Sequence, residues 1–186
     1  KYFPDGKLIE SQQGEDAVEK TWQAIKTGIN CLFEGAFIFD HVLIRCNMLR
    51  KESSGWVLTK VKPSVNIEKD TESLDNLAIQ MYVLNGLRLP IAKIELMHLN
   101  SQCRYPDLSN LFVHKDATDQ VKSRVDDIPR SVETFKLLLT QTEEPDIPIG
   151  NHCHKPRTCP IKTHCWRKVP EISIFNIPYL SDKKKS

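Results

Sequence analysis

The order in which the hydrophobic periodicity changes along the chain constrains the fold more than any other feature. Apolar residues first recur at helical spacing and predict an amphipathic helix over residues 16 to 28. The helical spacing then gives way to short apolar runs, which are separated by Asp40-His41 and Ser53-Ser54-Gly55. Such runs predict three antiparallel strands joined by tight turns, the second of them three residues long.

In the rest of the first 144 residues, helical and strand patterns alternate again. Apolar positions from Leu74 to Leu84 predict a second helix, followed by a strand from about Ala92 to Leu99 and a weaker one around Leu111 to Val113. Residues 118 to 142 have a helical pattern that Pro129 is expected to interrupt. The order therefore predicts an α/β fold, in which a small mixed sheet is flanked by helices.

The chain contains 186 residues, of which 40% are hydrophobic, enough for one domain with a proper core and a peripheral extension. We expect the core domain over residues 1–144, an irregular cysteine-rich lobe packed on it over 145–177, and a basic tail over 178–186. A net charge of +2 excludes a binder that acts through its overall charge. With no apolar run of 18 residues and no signal-peptide pattern, a cytoplasmic protein without a membrane partner is predicted.

Polar and charged residues interrupt the predicted strands at one place. Asn47 lies in the second strand, and Lys60 and Lys62 lie at the end of the third, where alternation directs both lysines to one face. Pairing of the two strands would bring Asn47 close to Lys60. Glu34, in the first strand, is expected to face the same cleft.

Four segments, taken together with their order and spacing, resemble the RecB-like branch of the PD-(D/E)XK nucleases. They are Glu34-Gly-Ala-Phe, Ile44 to Leu49, Trp56 to Ser64 and Leu77 to Tyr82. Within that branch the chain resembles bacterial proteins of unassigned function, whose cysteine-rich C-terminal lobe is similar to that of CRISPR-associated and AddB-type exonucleases. The resemblance covers roughly residues 1 to 177 and implies a restriction-endonuclease-like core over 1–144.

The resemblance also implies a catalytic site. Its positions fall on Glu34, Asn47, Lys60, Lys62, Gln80 and Tyr82. In the family, an acid at position 34 assists the metal, acids at positions 47 and 60 bind Mg²⁺ or Mn²⁺, and the lysine at position 62 orients the attacking water. In the family, the helix residues at positions 80 and 82 lie near the DNA backbone. Carboxylates suit this chemistry because hard divalent cations prefer oxygen ligands.

This sequence departs from the family at both central carboxylates, because Asn47 is neutral and Lys60 is cationic. At about 4 Å and an effective dielectric near 20, each unit charge near a cation is worth roughly 4 kcal/mol. We therefore expect a degenerate site that could hold phosphate without cleaving it. Two alternatives remain open: an active nuclease whose acid has moved to Asp75, and two solvated strand lysines without a site.

The cysteine-rich lobe carries a second candidate site. Cys153, Cys159 and Cys165 are each separated by five residues, and thiolates at such spacing bind zinc or an iron–sulfur cluster. In the related exonucleases a fourth cysteine precedes the nuclease core, so a fourth ligand is expected outside this chain. A histidine, His152, His154 or His164, could complete a zinc site instead, or the thiols could be metal-free or paired as a disulfide. For this chain alone, a metal-free lobe is the favoured expectation.

Basic residues are densest beside these cysteines, which predicts contacts with a phosphate backbone. They are Lys155, Arg157, Lys162, Arg167 and Lys168. The expected partner is single- or double-stranded DNA. A non-catalytic module that binds nucleic acid or a protein is the competing hypothesis to a DNase.

Overall fold

The computed structural model describes residues 3–11, 13–65, 70–155 and 157–177. Its helices are α1 (Gly14–Lys26), α2 (Thr71–Gly86), α3 (Thr118–Val125), α4 (Ile128–Leu139) and α5 (Lys162–Trp166). Its strands are β1 (Lys7–Leu8), β2 (Cys31–Phe39), β3 (Val42–Glu52), β4 (Gly55–Lys62), β5 (Ile91–Leu99) and β6 (Phe112–Asp116). The predicted α/β class and the predicted order of its main elements are confirmed.

The six strands form one mixed sheet in the order β1-β2-β3-β4-β5-β6. Strands β2, β3 and β4 are antiparallel, and α2 then crosses over so that β5 lies parallel to β4. The short strand β1 pairs in parallel with β2. Sequence periodicity does not detect β1, because two residues are too few to show an alternation.

Apolar residues of the sheet and of α2 form the larger core. Leu58 and Ile94, on the parallel pair of strands, are fully buried together with Leu77 and Leu84 of α2. A second cluster joins α1 to β2. Leu77, Ala78, Met81 and Leu84, three or four residues apart on α2, are all buried, which explains why apolar positions recur there at the helical period.

Two tight turns connect the antiparallel strands. Glu52 pairs with Gly55, so the second turn contains two residues, Ser53 and Ser54, rather than the expected three. The first turn, Asp40-His41, has positive φ at both residues, 51° and 64°. This conformation matches the twist of the flanking strands but places Cβ of an L-residue close to the backbone.

We expect His41→Gly to stabilise the protein by about 0.5 to 1 kcal/mol, because relief of the left-handed strain exceeds the entropy that a glycine adds to the unfolded chain. His41 is exposed, so little packing is lost. Urea denaturation measures the change. Ser54→Gly is the matched control, since Ser54 has no positive φ, and equal effects of the two substitutions would contradict the argument.

The chain divides into two compact units, Lys1–Leu137 and Leu138–Ser186, and the division falls within α4. The predicted helical region is interrupted at Asp126 and Asp127, just before Pro129. Pro129 lies in the first turn of α4, where a proline removes no intrahelical hydrogen bond. The predicted tail, residues 178–186, lies outside the described residues. No described helix has both the length and the apolar character needed to cross a bilayer.

Candidate functional site

The predicted cleft in the first unit is centred on a contact between Glu34 and Asn47. Pairing of the flanking residues on β2 and β3 places these two residues opposite one another. Asn47 Nδ2 donates to Glu34 Oε1 at 3.0 Å, and Asn47 Oδ1 accepts from the Val61 backbone N–H at 3.3 Å. Both polar atoms of the Asn47 amide are therefore engaged by the protein.

Glu34 adopts an unusual backbone conformation for a strand residue. Its φ is 55°, a left-handed value that is costly for a residue with a Cβ. Two residues further on, the Ala36 backbone N–H donates to the buried Thr21 hydroxyl of α1 at 2.9 Å. The helix thus holds β2 beside the irregular residue. Glu34 and Arg45 also line one cavity of about 610 Å³.

Lys60 and Gln80 contact the same side chain on α2. Asn76 Oδ1 accepts from Lys60 Nζ at 3.2 Å and from Gln80 Nε2 at 2.8 Å. Gln80 Nε2 also donates to the Arg45 backbone oxygen, which fixes the orientation of the amide. Gln80 Oε1 is consequently buried without a hydrogen-bond partner among the described residues.

The charges of Glu34 and Lys60 both act on the fully buried Cys46. Burial raises the pKa of the Cys46 thiol strongly, the Glu34 carboxylate raises it further, and the Lys60 ammonium opposes them. The structure therefore joins Asn47 to Glu34 and joins Lys60 and Gln80 to Asn76, while the charges of Glu34 and Lys60 both reach Cys46.

Lys62 lies on the same strand as Lys60 but has a different partner. Its Nζ is 3.0 Å from Asp70 Oδ2. Asp70 is also the N-cap of α2, because its Oδ1 accepts from the Ser73 backbone N–H at 3.1 Å. Burial opposes ionisation of Asp70, but the hydrogen bonds from Ser73 and Lys62 outweigh it and lower the pKa of this carboxyl. Lys62 is thus held by an ionised carboxylate.

Asp75, the alternative acid, is engaged on the surface between two helices. Its Oδ1 lies 3.1 Å from Arg124 Nε of α3, and 64% of its side chain is exposed. It directly precedes Asn76, which contacts Lys60. Arg124 neutralises the carboxylate in this arrangement.

Tyr82 lies away from the cleft, next to the first hairpin turn. Its hydroxyl donates to Asp40 Oδ2 at 2.8 Å, and its ring packs against Phe39. Lys136 of α4 bonds the other Asp40 oxygen. Residues two apart on a helix point in different directions, so Gln80 and Tyr82 cannot both face the cleft.

Sequence reasoning missed two side chains of this neighbourhood, Asp70 and Asn76. Asp70 precedes Thr-Glu-Ser at the start of α2, and an aspartate in that position is a typical N-cap. Asn76 lies four residues before Gln80 on the same helix, a spacing at which side chains meet. Both signals were available, but neither reveals that the side chain also contacts a strand lysine.

The second unit places the three predicted metal ligands around one cavity of about 550 Å³, together with His152 and His164. Cys153 is buried, Cys159 is half-buried and Cys165 is exposed, and none forms a disulfide. His164 Nε2 lies 2.7 Å from Glu144 Oε1. Within the described residues, no three His, Cys, Asp or Glu side chains are close enough together to hold a metal ion.

The Trp166 side chain lowers the pKa of the buried Cys153 thiol. Its proximity, a backbone hydrogen bond from Gly150 and the charge of Lys162 lower the pKa of the Cys153 thiol, although burial opposes them. The indole Nε1 itself has no partner that meets hydrogen-bond geometry among the described residues.

Thiol accessibility gives a direct prediction. We expect iodoacetamide at pH 7.5 to alkylate Cys165 first, because it is exposed, and to reach Cys31 and Cys46 only after unfolding in urea. Burial raises the pKa of both of these thiols, so little thiolate forms. Peptide mass spectrometry at successive times measures the order. Early modification of Cys46 would contradict the buried position.

The five predicted basic residues all belong to the second unit. Lys155, Arg157, Arg167 and Lys168 are exposed, and Lys162 is half-buried with its ammonium 5.1 Å from the centre of the Trp166 ring. Arg167 and Lys168 also line the cysteine cavity.

In the comparisons with known proteins, no protein-family model matches this sequence, and no curated protein matches it.

Proposed function

We propose that this chain is a catalytically degenerate PD-(D/E)XK nuclease-like protein that binds nucleic acid without cleaving it. The order of helix, three antiparallel strands, helix and parallel strand in the first unit is consistent with the fold that the resemblance implies. The proposal rests on the four segments of the sequence that resemble this family and on the geometry of the cleft.

The observation that carries the proposal is the pair of hydrogen bonds that the Asn47 side chain forms within the protein. A hard divalent cation prefers anionic oxygen ligands, but the Asn47 amide is neutral, its Nδ2 donates to Glu34, and one of the two lone pairs of its Oδ1 already accepts from Val61. Lys60 brings a positive charge to the position at which the family has an acid. Two neighbouring carboxylates are thus replaced by an amide and an ammonium, so Mg²⁺ or Mn²⁺ would meet weak ligation and repulsion.

Lys62 supports the same conclusion. A lysine that orients water for attack on a phosphodiester must present its ammonium to that water and to the phosphate. Here the ammonium is paired with Asp70 at 3.0 Å. Breaking this pair to engage a substrate would leave the Asp70 carboxylate, whose side chain is only 13% exposed, without its cation.

Nucleic-acid binding is assigned to the basic residues of the second unit. Exposed lysine and arginine side chains bind phosphates by displacing counterions and need no metal. The active alternative would need Asp75 to exchange Arg124 for a metal ion. The cysteines could carry zinc or an iron–sulfur cluster only with further ligands or a rearrangement of their cavity.

Fluorescence anisotropy with labelled single- and double-stranded DNA tests the proposal. We expect binding that weakens with salt, and in Arg167→Ala/Lys168→Ala a slope of log K against log salt that is reduced by about 1.4 to 1.8. Lys20→Ala/Lys26→Ala, in α1 of the first unit, is the matched control. Incubation with Mg²⁺ or Mn²⁺ should leave the DNA intact. Cleavage abolished by Lys62→Ala or Asp75→Ala would establish the active alternative, and no binding at any salt concentration would refute the proposal.

A further inference from the structure

A cavity separate from the cleft and from the cysteine cavity lies within the second unit. It has a volume of about 490 Å³, within the range of small-ligand pockets. Its wall includes three aromatic rings and several polar side chains. The residues that matter here are Asn151, His154, Lys155, Trp166, Glu171 and Phe175.

The three rings come from three different local elements. His154 follows the 3-10 turn Asn151–Cys153, Trp166 is the last residue of α5, and Phe175 lies in the 3-10 turn Ile174–Asn176. The centre of the Trp166 ring lies 5.2 Å from that of His154 and 4.6 Å from that of Phe175. These contacts fix the orientation of the rings, and His154 remains exposed.

The cavity wall itself carries one lysine, Lys155, and one carboxylate, Glu171. The cations that favour an anionic ligand lie close to the lining residues in the chain, and they are Arg157, Lys162, Arg167 and Lys168. Aromatic rings beside clustered cations are the combination that binds single-stranded nucleic acid, in which bases stack on rings and phosphates meet lysine and arginine. Asn151 and Glu171 supply a donor and acceptors for the edge of a base.

We infer that this aromatic cavity binds an unpaired base of a single-stranded nucleic acid, while the neighbouring basic residues bind its backbone. The inference rests on the proposed function, because it specifies which form of nucleic acid the chain binds. A base in a duplex is stacked on its neighbours and cannot enter the cavity. The protein therefore prefers single strands, and contact with the bases adds to the affinity that the backbone supplies.

The test compares two oligomers of equal length and charge, a thymidine 12-mer and a 12-mer of abasic nucleotides, with the full chain as the protein. We expect the thymidine oligomer to bind at least about fivefold more tightly, the effect of one stacked base. His154→Ala should remove most of this difference, and Trp166→Phe should keep it because phenylalanine retains a stacking surface. Circular dichroism checks that both variants are folded.

Each outcome has a distinct meaning. Equal binding of the two oligomers overturns the base pocket and leaves binding of the backbone intact. Tighter binding of a duplex than of either single strand also overturns it. If neither oligomer nor duplex binds, the proposed function and the base pocket fail together. If a trimethyllysine peptide quenches tryptophan fluorescence and the oligomers do not, the cavity is a site for a cationic peptide and the inference is wrong.

Discussion

Replacing Asn47 with Asp and Lys60 with Glu will create a Mn²⁺ site where the wild-type chain binds the ion weakly or not at all. Glu34 already lies 3.0 Å from Asn47, so the first substitution places two carboxylates in contact. The second removes the ammonium and adds a further carboxylate on the neighbouring strand. Hard cations prefer such oxygen clusters, and the charge near the ion changes by three units in its favour.

The expected gain appears in stability as well as in binding. Without metal, the added carboxylates repel Glu34 and one another, so the double variant should unfold at a lower temperature than the wild type at pH 7. With Mn²⁺ at 100 times its Kd, it should gain about 2.7 kcal/mol, an increase in Tm of roughly 5 °C or more. Calorimetric titration and thermal unfolding, with and without chelator, measure both effects.

Asn47→Asp/Lys60→Gln is the matched control for this experiment. It removes the same positive charge and keeps the carboxylate at position 47, but it supplies one anionic ligand fewer. We expect weaker binding by at least about tenfold, since a full carboxylate interaction is missing. If the double variant binds Mn²⁺ no better than the wild type, the three positions do not form the remnant of a metal site, and the proposed relation to nucleases loses its structural support.

The second large effect concerns Glu95, a carboxylate that is 4% exposed within the sheet. Lys93 Nζ lies 2.7 Å from its Oε1, and His114 Nδ1 lies 3.0 Å from its Oε2. Arg50 is 3.9 Å away, and the Thr59 hydroxyl donates to Oε2 at 3.4 Å. Four strands, β3 to β6, thus contribute a partner to one buried anion.

We expect Glu95→Gln to destabilise the protein by about 2 kcal/mol at pH 7, because charge-assisted hydrogen bonds are replaced by weaker ones. Glu95→Ala should cost about 3 kcal/mol, since it also leaves a cavity. Lys93→Ala is the matched control and should cost less, because the lysine side chain is 43% exposed and a second cation remains. Urea denaturation measures all three.

The destabilisation by Glu95→Gln should disappear in acid. Burial opposes ionisation of Glu95, but the hydrogen bonds from Lys93 and His114 outweigh it and lower the pKa of this carboxyl from its ordinary value of 4.5. A lowered pKa means that ionised Glu95 contributes stability above about pH 4.5 and loses that contribution as the pH falls through its folded value. The wild type and Glu95→Gln should therefore converge below that pH. A difference that grows in acid would contradict the lowered pKa.

Much of the cleft could be predicted, because strand alternation and hairpin pairing are local rules. They placed Glu34, Asn47 and Lys60 near one another. In the structure Asn47 contacts Glu34 and the Val61 backbone, whereas Lys60 contacts Asn76 of α2. Tyr82 was assigned to the same cleft from a motif, but it contacts Asp40 instead. Direction around a helix axis changes by about 100° per residue, so a sequence match does not show that two helix residues share a face.

The Glu95 cluster could not be predicted in the same way. In the sequence, Glu95 is one charged residue in a strand, and its partners lie on β3, β4 and β6 as well as on β5. The rule that buried charges are paired becomes useful only after burial is known. Burial of Glu95 results from the order of the strands in the sheet, which involves residues far apart in the chain.

The sequence by itself determined the kind and order of the main elements, since the periodicity of apolar residues responds to which face of each helix or strand is buried. It also places the neutral Asn47 and the cationic Lys60 at the positions where the resemblance to nucleases would imply carboxylates. Only the tertiary structure decided which groups these residues contact: Asn47 bonds Glu34 and Val61, Lys62 pairs with Asp70, and three aromatic rings meet around a cavity. A hydrogen bond or ion pair is gained or lost when the distance between two atoms changes by a few tenths of an ångström. The segments that carry these atoms are separate in the sequence, so sequence rules that treat each segment alone do not determine that distance.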